Sequence, residues 1–297
     1  ECLFHSYELG FSGYSNAGKT TLITQLLRRL SSKYSIGYVK HDAHTFTMDH
    51  EGKDTDKAWK NNASQVFISD SNHSALISSG PLDPIRQKTD FINCDMVFVE
   101  GYKKSLLDKI VLIDKEKKIL SDIFNGRIDR VLALVGEEKE LDFPSLSCPY
   151  FHRDNVEEIA LFVEEYFLNK SKEIPLYGLV LSGGYSKRMQ QEKALLTYNG
   201  KVQVEQCLDL LSELCEKFFV SKRDSQDLGE NTFPVITDRF LDFGPLGGIL
   251  SAMMSNPHAA WLIVACDLPL MTVDVLKNLI ENRDPFKRAT AYMNADN

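Results

Sequence analysis

Two stretches of this 297-residue chain hold the residue types needed to grip a polyphosphate. The first is Gly13-Tyr14-Ser15-Asn16-Ala17-Gly18-Lys19-Thr20, followed by Thr21. It satisfies the spacing GxxxxGK[ST] in full. The backbone N–H groups of Asn16 to Thr20 are expected to wrap phosphate oxygens, with Lys19 reaching the outer phosphates and the Thr20 hydroxyl on Mg²⁺. The second runs from Leu181-Ser182-Gly183-Gly184 through Arg188 to Lys193. There the glycines let the backbone approach oxygen atoms closely, and Arg188 and Lys193 add positive charge.

Both loops need a strand before them. Leu9 to Ser12 is a short apolar strand ahead of the first. Leu22, Ile23, Leu26, Leu27 and Leu30 follow at helical spacing, so strand, loop and helix come in the order a phosphate loop requires. Tyr177 to Leu181 reads as the buried strand ahead of the second. Carboxylates are expected at two other strand ends. Cys94 to Gly101 reads as a buried strand that places Glu100 to hold Mg²⁺ or its water, with Asp95 as a boundary residue. Trp261 to Asp267 reads as a second such strand, stopped by Pro269, and Asp267 is expected to bind Mg²⁺ rather than cap a helix starting near Thr272. Gly244 to Gly248 is a glycine-rich turn opening a helix.

Between these features lies a polar segment, Lys40 to Phe46, continued by Asp49 and Gly52 to Thr55. His41, His44, Asp42 and Asp49 could bind a metal, but their chemistry alone favours a solvated loop. Lys115 to Lys118 reads as a solvated charged turn. Tyr102-Lys103-Lys104 is either solvated or the rim of the site.

The element pattern predicts an α/β protein of two three-layer domains. A mostly parallel sheet around the GxxxxGK[ST] loop is followed by a second sheet that carries the second glycine-rich loop. Helix residues from Val156 to Leu168 close the first domain, and the loss of apolar content after it marks a boundary. The expected division is 1–170, a linker at 171–175, and 176–297. The net charge of −8 argues against nucleic acid as the main partner. Six scattered cysteines form neither a CxxC nor a zinc-ligand spacing, which suits a reducing cytoplasm. No apolar run approaches the roughly 20 residues of a membrane helix, so no membrane association is expected. Glu1 to Tyr7 does not read as a signal peptide, and a start other than Met suggests trimmed ends.

The second domain resembles the MobA family of molybdenum cofactor guanylyltransferases. The resemblance rests on Leu181 to Met189, Lys193-Ala194-Leu195-Leu196, Gly244-Pro245-Leu246-Gly247-Gly248 and Cys266-Asp267-Leu268-Pro269, in that order. The first domain resembles MobB, a GTP-binding P-loop partner of MobA. The matching residues are Gly13 to Thr21, Lys40-His41-Asp42-Ala43-His44-Thr45-Phe46, Gly52-Lys53-Asp54 and Val99-Glu100-Gly101-Tyr102-Lys103. The histidine-bearing element separates MobB from P-loop proteins in general, and the resemblance raises it from solvated to functional. Together the two resemblances cover nearly the whole chain, and they imply a P-loop NTPase-like, mostly parallel sheet followed by a Rossmann-like nucleotidyltransferase sheet.

What the resemblance implies is transfer of GMP from GTP to Mo-molybdopterin, with pyrophosphate leaving, assisted by Mg²⁺. It implies that Leu181, Ser182, Gly183, Gly184 and Lys193 bind nucleotide, that Asp238 contacts it, and that Asp267 holds the metal. A weak GTPase activity in the first domain goes with it. So do molybdopterin-loading and molybdoenzyme maturation proteins as partners, with homo-oligomerisation open. Three departures stand out. Ser182 replaces the usual Ala, Gln190 replaces a Gly, and Ser221 stands where many members carry Asn, so no contact is transferred to it. A domain of this kind is expected to continue past Asn297 by roughly a strand–helix pair, with its molybdopterin-binding residues largely there. Two other readings remain: a nucleotide-binding adapter with an inactive transferase domain, and a cytidylyltransferase sibling.

Overall fold

The computed structural model describes residues 3–41, 51–80, 83–139, 147–182, 185–186, 191–192, 197–198, 200–224, 226, 233–240, 242–268 and 270–293. The chain divides into two compact units, Glu1–Glu165 and Tyr166–Asn297. Each is an α/β unit built on a parallel sheet. Among the described residues no helix is long and apolar enough to cross a membrane.

The first unit begins with β1 (Glu8–Ser12), α1 (Lys19–Leu30), β2 (Ile36–Lys40) and α2 (Asp54–Lys60). A hairpin of β3 (Gln65–Ser69) and β4 (Ser74–Ser78), α3 (Pro84–Thr89), β5 (Met96–Glu100) and β6 (Lys109–Leu112) follow. The unit continues with α4 (Lys118–Phe124), β7 (Val131–Gly136), β8 (Tyr150–His152) and the first part of α5 (Val156–Lys172), a helix that crosses the division at Glu165. Six strands pair in the order β2-β5-β1-β6-β7-β8, every neighbour parallel. β1, β5 and β6 are buried along their whole length, which is why they read as unbroken apolar runs rather than alternating ones. α4 packs Ile119 and Leu120 on Val111 and Leu134.

Two buried charges at strand starts are structural. Asp95 accepts the Ser35 N–H at 2.9 Å and so ties β5 to the entry of β2, as expected of a boundary residue. Lys109 is fully buried, and its Nζ donates to the carbonyl oxygens of Ser105 and Leu107 at 2.6 and 2.7 Å. It also donates to the Asp129 carbonyl at 3.3 Å.

In the second unit the main sheet orders β15-β14-β9-β16, all parallel. Its strands are β9 (Leu176–Leu181), β14 (Lys217–Lys222), β15 (Val235–Thr237) and β16 (Ala260–Ala265). Between β9 and β14 come two short hairpins and a helix. β10 (Tyr185–Ser186) pairs with β11 (Gln191–Glu192), β12 (Thr197–Tyr198) pairs with β13 (Lys201–Val202), and α6 (Gln203–Ser212) follows. Strand residues alternate between two cores. Val180, Val220, Leu262 and Val264 pack with α6 and with α8 (Val273–Glu281). Leu179, Phe219, Trp261 and Ile263 pack on the other face with α7 (Pro245–Ser255). This is the three-layer arrangement expected.

Two details depart from the sequence reading. α5 continues through Ser171 and Lys172, two residues expected in a linker, because no Pro or Gly intervenes before Pro175. β16 ends at Ala265, so Cys266 and Asp267 lie in the following turn, where Cys266 N still reaches the Leu181 carbonyl at 3.2 Å.

Candidate functional site

The first site is assembled where β1 runs out beside β5. Their register pairs Phe11 with Glu100 and sets the Glu100 carboxylate, 5% exposed, at the C-terminal edge of the sheet. A Cβ at Gly13 would stand 3.0 Å from the Leu112 carbonyl oxygen, so a side chain there would press on the backbone of the neighbouring strand. Asn16 and Gly18 then take left-handed conformations, φ 62° and 88°. α1 opens at Lys19 with neither a capping side chain nor an acidic residue in its first turn, so its leading N–H groups remain suited to an anion.

Lys19 Nζ donates to the Tyr14 carbonyl at 2.9 Å, and burial holds its pKa below the ordinary lysine value. The Thr20 hydroxyl donates to Glu100, 2.9 Å from Oε2. Tyr38 donates to the same oxygen at 2.7 Å, and burial followed by that carboxylate pushes its phenol up. The Thr20–Glu100 pair offers hard oxygen donors in the geometry Mg²⁺ uses, one or two protein oxygens with the rest from phosphate and water. Among the described residues no group of three or more His, Cys, Asp or Glu could hold a metal alone.

Residues beyond the motif also reach the loop. Arg153, in the turn after β8, donates Nη2 to the Ala17 carbonyl at 3.1 Å and Nη1 to Glu137 Oε1 at 2.6 Å. Lys103 Nζ sits 3.9 Å above the Tyr14 ring, which places it at the rim of the site. Tyr14 in turn donates to Asp122 at 2.7 Å. No motif announced Arg153, and its single clue was a cation just past a strand end. Ala17 is buried and Thr21 exposed in the first helical turn. His41 donates its backbone N–H to the Glu100 carbonyl at 3.0 Å, with its ring 4.6 Å from Tyr102. Asp42, His44 and Asp49 lie outside the described residues.

The second site is likewise at a sheet's C-terminal edge. Leu181 ends β9, and Ser182 follows it fully buried. The Ser182 hydroxyl donates to the Ser221 carbonyl, and Gln226 Nε2 donates to the Ser182 carbonyl at 3.1 Å. The Ser221 hydroxyl donates to Asp238 Oδ1 at 2.6 Å, fixing the carboxylate that follows β15. Gly248, in the first turn of α7, has to be glycine: a Cβ there would stand 2.1 Å from Ser221 Oγ and 3.2 Å from Asp238 Oδ1. Asp267 is exposed in the turn after β16. It does not cap α8, since Thr272 takes that role by accepting the Val275 N–H at 3.4 Å. Gly183, Gly184, Arg188 and Lys193 lie outside the described residues. So Ser182, Asp238 and Asp267 share one edge of four parallel strands, where ligands of such sheets collect.

Comparison with known proteins gives each unit a family. The model of the family described as Molybdopterin guanine dinucleotide synthesis protein B matches residues 8–137. That of the MobA-like NTP transferase domain matches residues 178–297. A molybdenum cofactor biosynthesis bifunctional protein of Synechocystis is 43% identical over 42% of this chain and 36% of its own length. A molybdopterin-guanine dinucleotide biosynthesis adapter protein of Haemophilus influenzae is 34% identical over 36% of this chain and 64% of its own. A probable molybdenum cofactor guanylyltransferase of Flavobacterium johnsoniae is 34% identical over 34% of this chain and 53% of its own. The matches thus span less than two thirds of each of these relatives. The solved structure of Bacillus subtilis MobB aligns with a TM-score of 0.45 at 20% identity, over 54% of this chain and 97% of that one. Residues 8–137 thus match a MobB domain, and residues 178–297 match a MobA-like NTP transferase domain.

Proposed function

We propose that the chain is a molybdenum cofactor guanylyltransferase with a fused GTP-binding unit. The second unit transfers GMP from GTP to Mo-molybdopterin. An oxygen of the molybdopterin phosphate attacks the α-phosphorus of GTP, the bond from that phosphorus to the bridging oxygen breaks, and pyrophosphate leaves. The observation that carries this reading is the convergence of Ser182, the Ser221–Asp238 pair and Asp267 on one sheet edge of a MobA-like domain.

Positioning and charge neutralisation do most of the work in such transfers. The backbone from Leu181 to Gly184 holds the phosphates, and Lys193 and Arg188 offset their charge. Asp238, oriented by Ser221, contacts the nucleoside. Asp267 would hold Mg²⁺, which when bound offsets charge on the triphosphate. In the first unit the residues Gly13, Asn16, Ala17, Gly18, Lys19, Thr20 and Thr21 take a second GTP, and Thr20 with Glu100 would hold its Mg²⁺. The protein acts in the cytoplasm, alongside proteins that load molybdopterin and mature molybdoenzymes.

The test is conversion of Mo-molybdopterin by the full chain with GTP or CTP, read as dinucleotide product. Product from GTP and none from CTP is expected, together with a loss of at least a hundred-fold in Asp267→Asn. Product from CTP instead makes the chain a cytidylyltransferase, and undiminished turnover in Asp267→Asn removes that residue from its metal role.

A second reading is favoured by the completeness of the first site, whose motif, carboxylate and bracing arginine are all in place. Here the chain is an adapter that binds GTP without catalysing transfer. GTP binding lost in Lys19→Ala, with no product from either nucleotide, would select it.

A further inference from the structure

The strand order of the first sheet separates two chemistries on either side of the phosphate loop. On the β5 side stand Thr20 and Glu100. On the β6-β7-β8 side stand Arg153 and Glu137, and beside them a cavity of about 140 Å³ lined in part by Glu137, Glu138, Asp114 and Tyr150. With a metal held at Thr20 and Glu100 on the β5 side, the β6-β7-β8 side is the one left for a nucleoside.

What waits there is a planar cation held at two points. Arg153 is tied to the Ala17 carbonyl through one nitrogen and to Glu137 through another. Its guanidinium lies against the loop, since a Cβ at Gly18 would stand 3.6–3.7 Å from its Nη2, Cζ and Nη1. The Arg153 side chain keeps 30% of its surface exposed, and a planar guanidinium is a group on which a base can stack. Glu137 follows β7 directly and joins the loop side to the cavity. The other carboxylates on the cavity have partners of their own. Glu138 pairs with Lys117 at 2.7 Å. Asp114 accepts the N–H groups of Lys118 and Ile119 at the start of α4, at 3.1 and 3.0 Å.

We propose that Glu137 and Arg153 form the base subsite of the P-loop unit and select guanine. The base stacks on Arg153, and the Glu137 carboxylate accepts hydrogen bonds from its N1–H and its exocyclic amine. An ionised carboxylate only accepts. Guanine presents two adjacent donors to it, whereas adenine and cytosine set a ring lone pair beside their amine and repel it. The inference rests on the reading of Gly13 to Thr20 as a working nucleotide site.

The experiment is calorimetric titration of the full chain with GTP, ITP and ATP. The P-loop phase is defined as the binding lost in Lys19→Ala. In Glu137→Gln, which keeps an acceptor for Arg153 but adds a donor, GTP affinity in that phase should fall roughly ten- to hundred-fold. The preference for GTP over ITP should vanish, with ATP no weaker. Arg153→Ala should weaken all three nucleotides together, and Arg153→Lys should not restore them. A purely bracing role would lower every nucleotide equally in Glu137→Gln, and that result, or an unchanged GTP to ITP ratio, overturns the proposal. Absence of any Lys19-dependent phase overturns the P-loop reading itself, and this one with it.

Discussion

The hydroxyl of Thr20 and the carboxylate of Glu100 meet at 2.9 Å across 80 residues of sequence. The parallel pairing of β1 with β5 makes this contact, and it joins the end of the GxxxxGK[ST] loop to a carboxylate buried beside it. The pair has the oxygen chemistry for Mg²⁺, and its role can be separated from its contribution to folding. Glu100→Gln keeps an acceptor for Thr20 and Tyr38 while removing the charge. GTP affinity of the first unit in Mg²⁺ should drop about ten-fold or more, with little change in EDTA, since charge on the metal is what the carboxylate offsets. Calorimetry with and without the metal checks this. Equal losses in both conditions would assign Glu100 to the fold alone.

Lys19 gives the first site a pH dependence of definite sign. Burial holds its pKa below the ordinary value of 10.5. Phosphate oxygens around Nζ raise it again, so binding takes up a proton at any pH between the two values. GTP affinity should therefore fall as pH rises through the depressed value. Titrations in alkaline buffers of different ionisation enthalpy should show the uptake, and Lys19→Ala should abolish it.

Lys109 predicts a stability effect at the opposite end of the same sheet. Its folded-state pKa is lowered, chiefly by burial. Between that value and 10.5 the unfolded chain binds more protons than the folded one, so this group's contribution rises with pH in that window. It is lost as pH falls through the folded value. Lys109→Met removes the slope and leaves the carbonyls of Ser105, Leu107 and Asp129 without their donor. A net loss of about 2–4 kcal/mol in urea unfolding near neutral pH is expected.

Gly248→Ala tests the second site. The added Cβ has to displace Ser221 Oγ, and with it the hydrogen bond that orients Asp238. A stability loss of about 1–3 kcal/mol is expected, together with weaker nucleotide binding by the transferase unit. Ser221→Ala removes the same hydrogen bond without overpacking, so it should reproduce the binding defect with a smaller stability loss. Thermal melts and GTP titrations of both variants decide whether the orientation of Asp238 matters.

How much of this was legible in the sequence depended on whether a function is written locally. The phosphate loop of the first unit is contiguous, so type and spacing found it. Glu100 was found because a carboxylate ending an apolar strand is a local signal. Arg153 was not, because it reaches Ala17 from 136 residues away and only the closing of the sheet brings them together. The Ser182–Gln226 contact was hidden for the same reason, since nothing near either residue marks the other. Asp267 was read as a strand-end carboxylate, but the strand stops two residues earlier than its apolar run suggests, and Thr272 takes the cap. The separation of the β3–β4 hairpin from the main sheet depends on tertiary pairing that alternation cannot encode.

The left-handed turns at Asn16 and Gly18 have a kinetic consequence. The loop between them is fastened by contacts within the protein: Ala17 N–H to the Tyr14 carbonyl at 3.3 Å, and Arg153 to the Ala17 carbonyl. An arriving phosphate need not organise that backbone. The Lys19 ammonium, however, is engaged by the Tyr14 carbonyl and has to swing away to meet it. On the proposed reading of this loop as a nucleotide site, capture then asks for the exchange of one lysine partner on a backbone already held in shape.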